Sequence, residues 1–388
     1  MNLFLDSGSG PVGRPGMTVK VEANPVSNTH AKVEAAIKAF AKGELVVVTD
    51  DDDRENEGDL FIAASLCTPE KMAFIIRHTS GIVCATITAA NAQRLHLDPM
   101  VAKNDAPLGT AFTVTVDVKH GMTTGISAEE RTNTVRALAN DNIGSSDFVR
   151  PGHVFPLIAR EGGVLMRTGH TEACTDLCKL AGLPPVGVLS ELMNDDGTVM
   201  RGPQVSAFAE AHKLIQISVA DLIAYRQARE KLVTRVGEFS LNSEIGPLKG
   251  YAFVTPFDEV HHMAFVYGDL GDGKEVPARL HRVDVIGDVF GGAKAIHASL
   301  KRFKAVGRGV IVYLRDGTAG VPVAAIPKGE ATGTETARSQ QWRDVGVGAQ
   351  ILKDLGISSI RLMTSSQRTY VGLSGFGIEI SGTEVLES

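Results

Sequence analysis

Cysteine, tryptophan, long apolar runs and clustered positive charge are all scarce in this chain. Its 388 residues include four cysteines and one tryptophan, and aromatic residues make up 5%. Four cysteines (Cys67, Cys84, Cys174 and Cys178) in so long a chain do not form a disulfide framework. That excludes the small stapled secreted folds and makes a reduced, cytoplasmic protein the expectation. Cys174 and Cys178 are spaced to share a helix face, but without a second pair they read as small buried residues, not as half of a zinc site. No apolar stretch approaches the length of a membrane span. The opening MNLFLDSGSGPVGRPG lacks the basic and apolar regions of a signal peptide. No run of Lys or Arg stands out and the net charge is −6, so no nucleic-acid footprint is visible. A phosphate-bearing small molecule escapes that argument, because a pocket needs only a few local donors.

What is present is an ordinary soluble composition, 43% apolar and 22% charged, on a chain too long for one usual core. Residues 1–28, rich in Gly, Pro, Ser and Asn, read as a disordered tail, with Met17 an alternative start. Order is expected from a helix near Thr29, where Val33, Ala36, Ile37 and Phe40 form one stripe. Leu45–Thr49 reads as a buried strand. Thr68-Pro69 opens a helix, and Ile82–Ile87 reads as a strand. Phe112–Val118 alternates like a half-buried strand, and Ser127 with Glu130 signals a capping box. A strand over Val186–Met193 and a helix near Val219–Lys231 close the first half. Strands and helices mix without a regular βαβ beat, which predicts an α+β fold. From about residue 235 the chain is Gly-rich and starts fresh strands, including Gly309–Leu314, and a helix with Val347, Ile351 and Leu355 on one face. The boundary is set near 232–240, with residues 316–342 read as a polar loop.

Four clusters bear chemistry. In DDDDRENEGD (residues 50–59) seven of ten residues are carboxylates, directly after a buried strand. Such a run commonly just faces water, yet strand-to-loop junctions also present catalytic groups, and carboxylate oxygens suit a hard cation such as Mg²⁺. Arg54 inside the run has the chemistry to pair with a carboxylate or a phosphate. His153, in RPGHVFPL, is either a buried hydrogen-bonded residue or an acid–base group. Arg167, Thr168, Gly169, His170 and Thr171 combine an anion-binding guanidinium, hydroxyls and an imidazole within a few residues; the bland alternative is a helix start capped by Thr171. Glu191 lies in the apolar strand VLSELM, where a carboxylate is costly unless paired or functional.

Taken in order, DDDDRENEGD, RHTSGIVCATIT, LGTAFTVTVD, RPGHVFPL, RTGHTEA and LSELMNDDGT resemble the 3,4-dihydroxy-2-butanone 4-phosphate synthase family across about residues 30–230. The resemblance implies an α+β synthase domain over 29–232. It implies conversion of ribulose 5-phosphate to 3,4-dihydroxy-2-butanone 4-phosphate and formate, a lyase step of riboflavin biosynthesis. Glu55 and His170 would ligate one or two Mg²⁺ (or Mn²⁺) ions. Arg54 and Asp59 would contact the sugar phosphate, Arg167–Thr171 would bind its phosphate, and His153 and Glu191 would serve proton transfer. Asp50, Glu57 and Cys84 match positions near the site. The family is typically a homodimer with catalytic centres near the subunit interface.

Residues 233–388 resemble GTP cyclohydrolase II, through RLHRVDVIGDVFGGAKAIHASL, GRGVIVYLRDG and VGVGAQILKDLGISSIRLMT. This implies a smaller, mixed α/β domain. Where that family carries three zinc cysteines, this chain has Asp284, Ala295 and His297, and its Arg-containing loop is replaced by Asp-Gly-Thr-Ala-Gly at 316–320. The expectation is therefore no zinc and no GTP cyclohydrolase activity. The rival readings are a bifunctional enzyme with a remodelled metal site at Asp284 and His297, and a non-catalytic scaffold.

Overall fold

The computed structural model describes residues 25–50, 55–106, 108–256, 258–315, 346–364 and 378–386. Expectations for the tail up to residue 24, for Arg54 and for the loop at 316–342 fall outside them.

The chain forms two domains, each built on a seven-stranded sheet. The first contains α1 (Pro25–Ala41), β1 (Val46–Thr49), β2 (Gly58–Ala63), α2 (Pro69–His78), β3 (Cys84–Ile87), α3 (Ala89–Arg94), β4 (Val116–Val118), α4 (Ala128–Leu138), β5 (Phe148–Ile158), α5 (His170–Leu180), β6 (Gly187–Glu191), α6 (Pro203–Ala211), β7 (Ile215–Ser218) and α7 (Val219–Arg229). The strand order is β4-β5-β3-β6-β2-β1-β7, with parallel and antiparallel neighbours mixed. This is the expected α+β architecture.

Strand β1 shows why so apolar a run must be central. Val47 points into one core with Leu60, Ile62, Met72, Val135 and Phe208, whereas Val46 and Val48 point into a second core with Phe61, Phe40, Leu177 and Leu222. Helices therefore cover both faces, and no face of β1 is left for a polar side chain.

Local signals work as read at several places. Thr68 Oγ1 accepts the Lys71 N–H to cap α2, and Ser127 with Glu130 forms a reciprocal capping box on α4. Two expectations need correction. Helix α1 starts at Pro25, four residues before Thr29, because Pro is compatible with a first helical turn. The alternating segment from Phe112 pairs as a strand only over Val116–Val118, while Phe112 and Thr113 make isolated bridges. The register of β4 against β5 shifts between Val116 and Asp117. There Gly152 packs so tightly that a Cβ would lie 2.0 Å from the Val116 carbonyl carbon. The alternation predicts which residues are half-buried, but not that the partner strand bulges away.

The second domain contains β8 (Thr234–Ser243), β9 (Gly246–Thr255), β10 (Asp258–Tyr267), β11 (Val276–Arg282), α8 (Lys294–Val306), β12 (Gly309–Leu314), a helix over 346–354, β13 (Ser359–Thr364) and β14 (Glu379–Val385). Its order is β14-β13-β11-β12-β10-β9-β8, an antiparallel meander joined to a parallel half. Gln350 bridges the domains. Its side-chain oxygen accepts the Leu232 N–H at 2.6 Å, and its amide donates to Gln227 O at 3.0 Å and Glu230 O at 2.6 Å. The last carbonyls of α7 are thus capped by the second domain.

Candidate active site and metal centre

The acidic segment is folded around its first residue. β1 delivers Asp50 to the end of the sheet, where it is buried and accepts the N–H of Glu55 at 3.1 Å and of Glu57 at 2.9 Å. These bonds turn the chain back into β2 and hold Glu55 at the bend. Helix α5 begins opposite with His170, whose ring meets the Phe61 ring edge-on at 5.9 Å. Ligand atoms of Asp50, Glu55 and His170 all lie within 4.8 Å of one another. Glu55 and His170, far apart in sequence, are thereby brought together, with Asp50 as a third oxygen donor.

Asp59 stands beside them on β2, directly opposite Glu191 on β6. It is buried, its Oδ1 lies 3.5 Å from His170 Nδ1, and that oxygen has no hydrogen-bond partner among the described residues. Burial, and after it the charges of Glu191, Glu55, Asp50 and Glu57, push its carboxyl well above the ordinary range. Among the described residues the site thus gathers several carboxylates beside one imidazole. Oxygen donors with one imidazole fit a hard divalent cation. Cys84, on the adjacent strand β3, is buried, and burial together with Glu191 and Asp59 pushes its thiol up. It lines the site as a small neutral group rather than as a thiolate.

The segment Arg167–Thr171 forms the start of α5. The N-cap is Gly169, with no side-chain cap, and Thr171 lies buried in the first turn rather than capping it. The helix therefore starts, at His170, beside the metal cluster, and a helix N-terminus favours an anion. Thr168 is buried too. The Arg167 guanidinium is turned onto Glu172 at 2.7 Å, and also donates to Leu108 O and Thr110 Oγ1. Its charge is shared with a carboxyl that burial pushes up. A side chain on Gly169 would strike this pair, its Cβ 2.3 Å from the guanidinium.

His153 belongs to a second cluster. Its Nδ1 lies 2.7 Å from Asp117 Oδ2, and its backbone N–H donates to Asp117 Oδ1 at 2.9 Å. Asp117 is buried while the imidazole is half-exposed, so one carboxylate fixes both the ring and the backbone beneath it. Asp117 is a functional candidate that sequence reasoning missed. The available signal was the one that singled out Glu191, a carboxylate among alternating apolar residues. From β5, which carries His153, to β2, which carries Asp59, there are three strand steps, about 14 Å. Within one chain, then, the structure assembles Asp50, Glu55, Asp59, His170 and Glu191, and keeps His153 with Asp117.

In the second domain the replaced zinc positions are engaged elsewhere. Asp284 accepts the Gly287 N–H at 3.0 Å, and His297 pairs with Glu244 at 2.8 Å. Among the described residues, Asp50, Glu55 and His170 are the one group of three converging metal-ligating side chains.

Comparison with known proteins assigns a family to each domain. A model of 3,4-dihydroxy-2-butanone 4-phosphate synthase matches residues 34–225, and one of GTP cyclohydrolase II matches residues 234–385. Riboflavin biosynthesis protein RibBA of Salinispora arenicola is 44% identical over 371 residues, 91% of this chain and 88% of its own. The crystal structure of RibBX, a two-domain 3,4-dihydroxy-2-butanone 4-phosphate synthase from A. baumannii, is similar with a TM-score of 0.77 and 35% identity, over 92% of this chain and 99% of that one. A 3,4-dihydroxy-2-butanone 4-phosphate synthase in complex with two magnesium ions is 45% identical over 51% of this chain and 97% of its own, with a TM-score of 0.50.

Proposed function

The chain belongs to the riboflavin biosynthesis proteins that join a 3,4-dihydroxy-2-butanone 4-phosphate synthase domain to a GTP cyclohydrolase II domain, which makes it an enzyme of that synthase class, and from that premise we propose that it converts ribulose 5-phosphate to 3,4-dihydroxy-2-butanone 4-phosphate and formate with Mg²⁺. The observation that carries the metal is the convergence of Asp50, Glu55 and His170 beside the buried Asp59. A magnesium-bound relative with 45% identity supports it, and Mn²⁺ suits the same donors.

Glu55 and His170 hold one or two such ions, with Asp50 as a further oxygen. Bound there, the cation supplies charge stabilisation for oxyanions developing on the sugar. Asp59 faces the same space and, with Arg54, orients the sugar hydroxyls. The start of α5 at Arg167–Thr171 receives the phosphate, the helix N-terminus and the shared Arg167 charge opposing its negative charge. Enolising the ketone requires a base at the adjacent carbon, and Glu191 and His153 are the groups assigned to proton transfer. Asp117 holds His153 with Nδ1–H bonded, leaving Nε2 to accept or return a proton. The separation of His153 from Asp59 within one chain supports a homodimer with catalytic centres near the subunit interface. A cytoplasmic location accords with the reduced cysteines, and no described helix is long and apolar enough to cross a membrane.

The domains are proposed to divide at 232/233, between the end of α7 and the start of β8. The second domain is proposed to hydrolyse no GTP and to hold no zinc, since Asp284, Ala295 and His297 replace three thiolates and both remaining ligand types are bound elsewhere. The test is formate release from ribulose 5-phosphate by the full chain, with Mg²⁺ and then with EDTA, alongside a GTP assay and zinc analysis. Metal-dependent formate without GTP turnover is expected. Absence of formate overturns the first claim, and GTP turnover with stoichiometric zinc overturns the second.

A further inference from the structure

The proposed role of Glu191 leaves open what fixes its carboxylate, since a base on a strand end is only as good as its orientation. The link from α2 to β3, residues 79–83, answers this. Ser80 N–H donates to Glu191 O at 2.8 Å, and Ser80 Oγ lies 2.8 Å from Glu191 Oε2. The Ser80 hydroxyl also accepts the Ile82 N–H at 3.2 Å and touches Ser190 Oγ at 3.2 Å.

Counting protons settles the direction of these bonds. A hydroxyl has one proton and two lone pairs, and an ionised carboxylate only accepts. Ser190, fully buried, spends its proton on Ile82 O at 3.0 Å. Ser80 therefore gives its single proton to Glu191 Oε2, leaving Oε1 for another partner. The link itself is pinned from beneath. Arg131 on α4, buried, donates to Gly81 O at 2.9 Å, and Thr79 Oγ1 donates to Ile75 O and accepts the Gly81 N–H. Ser80 is thus rigidly placed although its side chain is exposed.

We propose that Ser80 is a positioning residue for the synthase reaction: its hydroxyl, on a link held by Arg131, orients the Glu191 carboxylate toward the substrate. The inference rests on the reading of Glu191 as a proton-transfer group. A misoriented group costs up to about a hundredfold in rate. Ser80→Ala should therefore lower kcat by about tenfold to a hundredfold with KM nearly unchanged. Ser80→Thr keeps the hydroxyl at an exposed position and should restore most of the rate.

The experiment is a double-mutant cycle in the full-length protein with Mg²⁺, reading formate release in single turnover. The variants are Ser80→Ala, Ser80→Thr, Glu191→Gln and Ser80→Ala combined with Glu191→Gln. If Ser80 acts through Glu191, Ser80→Ala costs nothing further in the Glu191→Gln background. Equal losses from Ser80→Ala in both backgrounds, or no rescue by Ser80→Thr, would overturn the proposal. A Glu191→Gln variant with normal turnover would instead overturn the role of Glu191, so the two failures are distinguishable. Circular dichroism and thermal unfolding of each variant separate a loss of kcat from a loss of fold.

Discussion

The two domains treat a carboxyl group inside a polar cluster in opposite ways. In the first, Asp59 is buried among four other carboxylates, and one of its oxygens has no hydrogen-bond partner among the described residues. In the second, a comparable cluster at the ends of β11 and β12 supplies its carboxylate with donors. Arg279 Nε donates to His281 Nδ1, His281 Nε2 bonds both oxygens of Asp288, and Asp288 also accepts from Tyr313 Oη at 2.7 Å and Asp284 N at 3.1 Å. Burial would raise Asp288, but these donors outweigh it and hold the carboxyl below its ordinary value. A buried carboxyl with an unsatisfied oxygen either takes a proton or meets a cation or donor, because leaving it ionised and unpaired costs several kcal/mol. The first cluster leaves an oxygen of its carboxyl open; the second satisfies its carboxylate from within.

The strongest way to break this comparison is to remove the ligands. Glu55→Ala and His170→Ala should each lower turnover by about a thousandfold or more, since a bound cation supplies several kcal/mol of charge stabilisation. They should also abolish the rise in Tm that Mg²⁺ causes. The pH dependence of that rise has a definite sign. The folded-state pKa of Asp59 is raised, so between the unfolded value near 4 and the folded value the native state binds the extra proton. Stability without metal therefore falls as pH rises through that window, while the bound cation favours the ionised form. The Mg²⁺-induced shift in Tm should accordingly grow as pH rises above about 4, measured by calorimetry. A shift independent of pH would break the link between Asp59 and the metal.

Next in size is Asp117→Asn. It keeps the shape but removes the acceptor that fixes His153, and should lower kcat by about 10²- to 10⁴-fold, as loss of an orienting carboxylate does elsewhere. Unaltered kcat would remove His153 from the chemistry.

How much of this was legible in the sequence depends on the range of the cause. The helix caps at Thr68 and Ser127 were readable because donor and acceptor are three residues apart. The centrality of β1 was readable because its apolar residues leave no face for water. The roles of Glu55 and His170 came from resemblance, and no spacing rule places them within 4.8 Å, since that follows from α5 docking over β2. Asp117 and Ser80 were missed for the same reason. Each matters through one partner on another strand, His153 and Glu191, and cross-strand register is not written locally. The break in the strand from Phe112 needed the contact between Gly152 and Val116 to be seen.

A smaller effect sharpens the picture around His153. Gly121 and Gly125 both have positive φ, 73° and 83°, within one loop. A Cβ at Gly121 meets nothing within 4 Å, whereas at Gly125 it would lie 2.1 Å from Asp117 Oδ2 and 2.9 Å from His153 Nδ1. Ala at either position should lose about 1–2 kcal/mol from the left-handed backbone. Only Gly125→Ala should also lose turnover, by about tenfold or more, because it displaces the imidazole. Equal activity in the two variants would mean that the loop yields without disturbing the pair.

The smallest effect belongs to the Asp288 cluster of the second domain. Tyr313→Phe removes one donor from Asp288 and leaves His281 and Asp284 N in place, so thermal unfolding should report a loss of about 1–2 kcal/mol. Formate release should not change, because these bonds lie within the second domain. A stability loss with normal turnover is the behaviour of core. A change in kcat would instead show the two domains coupled, and the route to examine would be Gln350, whose side chain caps the end of α7. On that helix Arg226 donates to Asp176 at 2.6 Å, on the same α5 that begins with His170. Gln350→Leu would then reproduce the change, since it cuts the bridge while leaving Tyr313 and Asp288 intact.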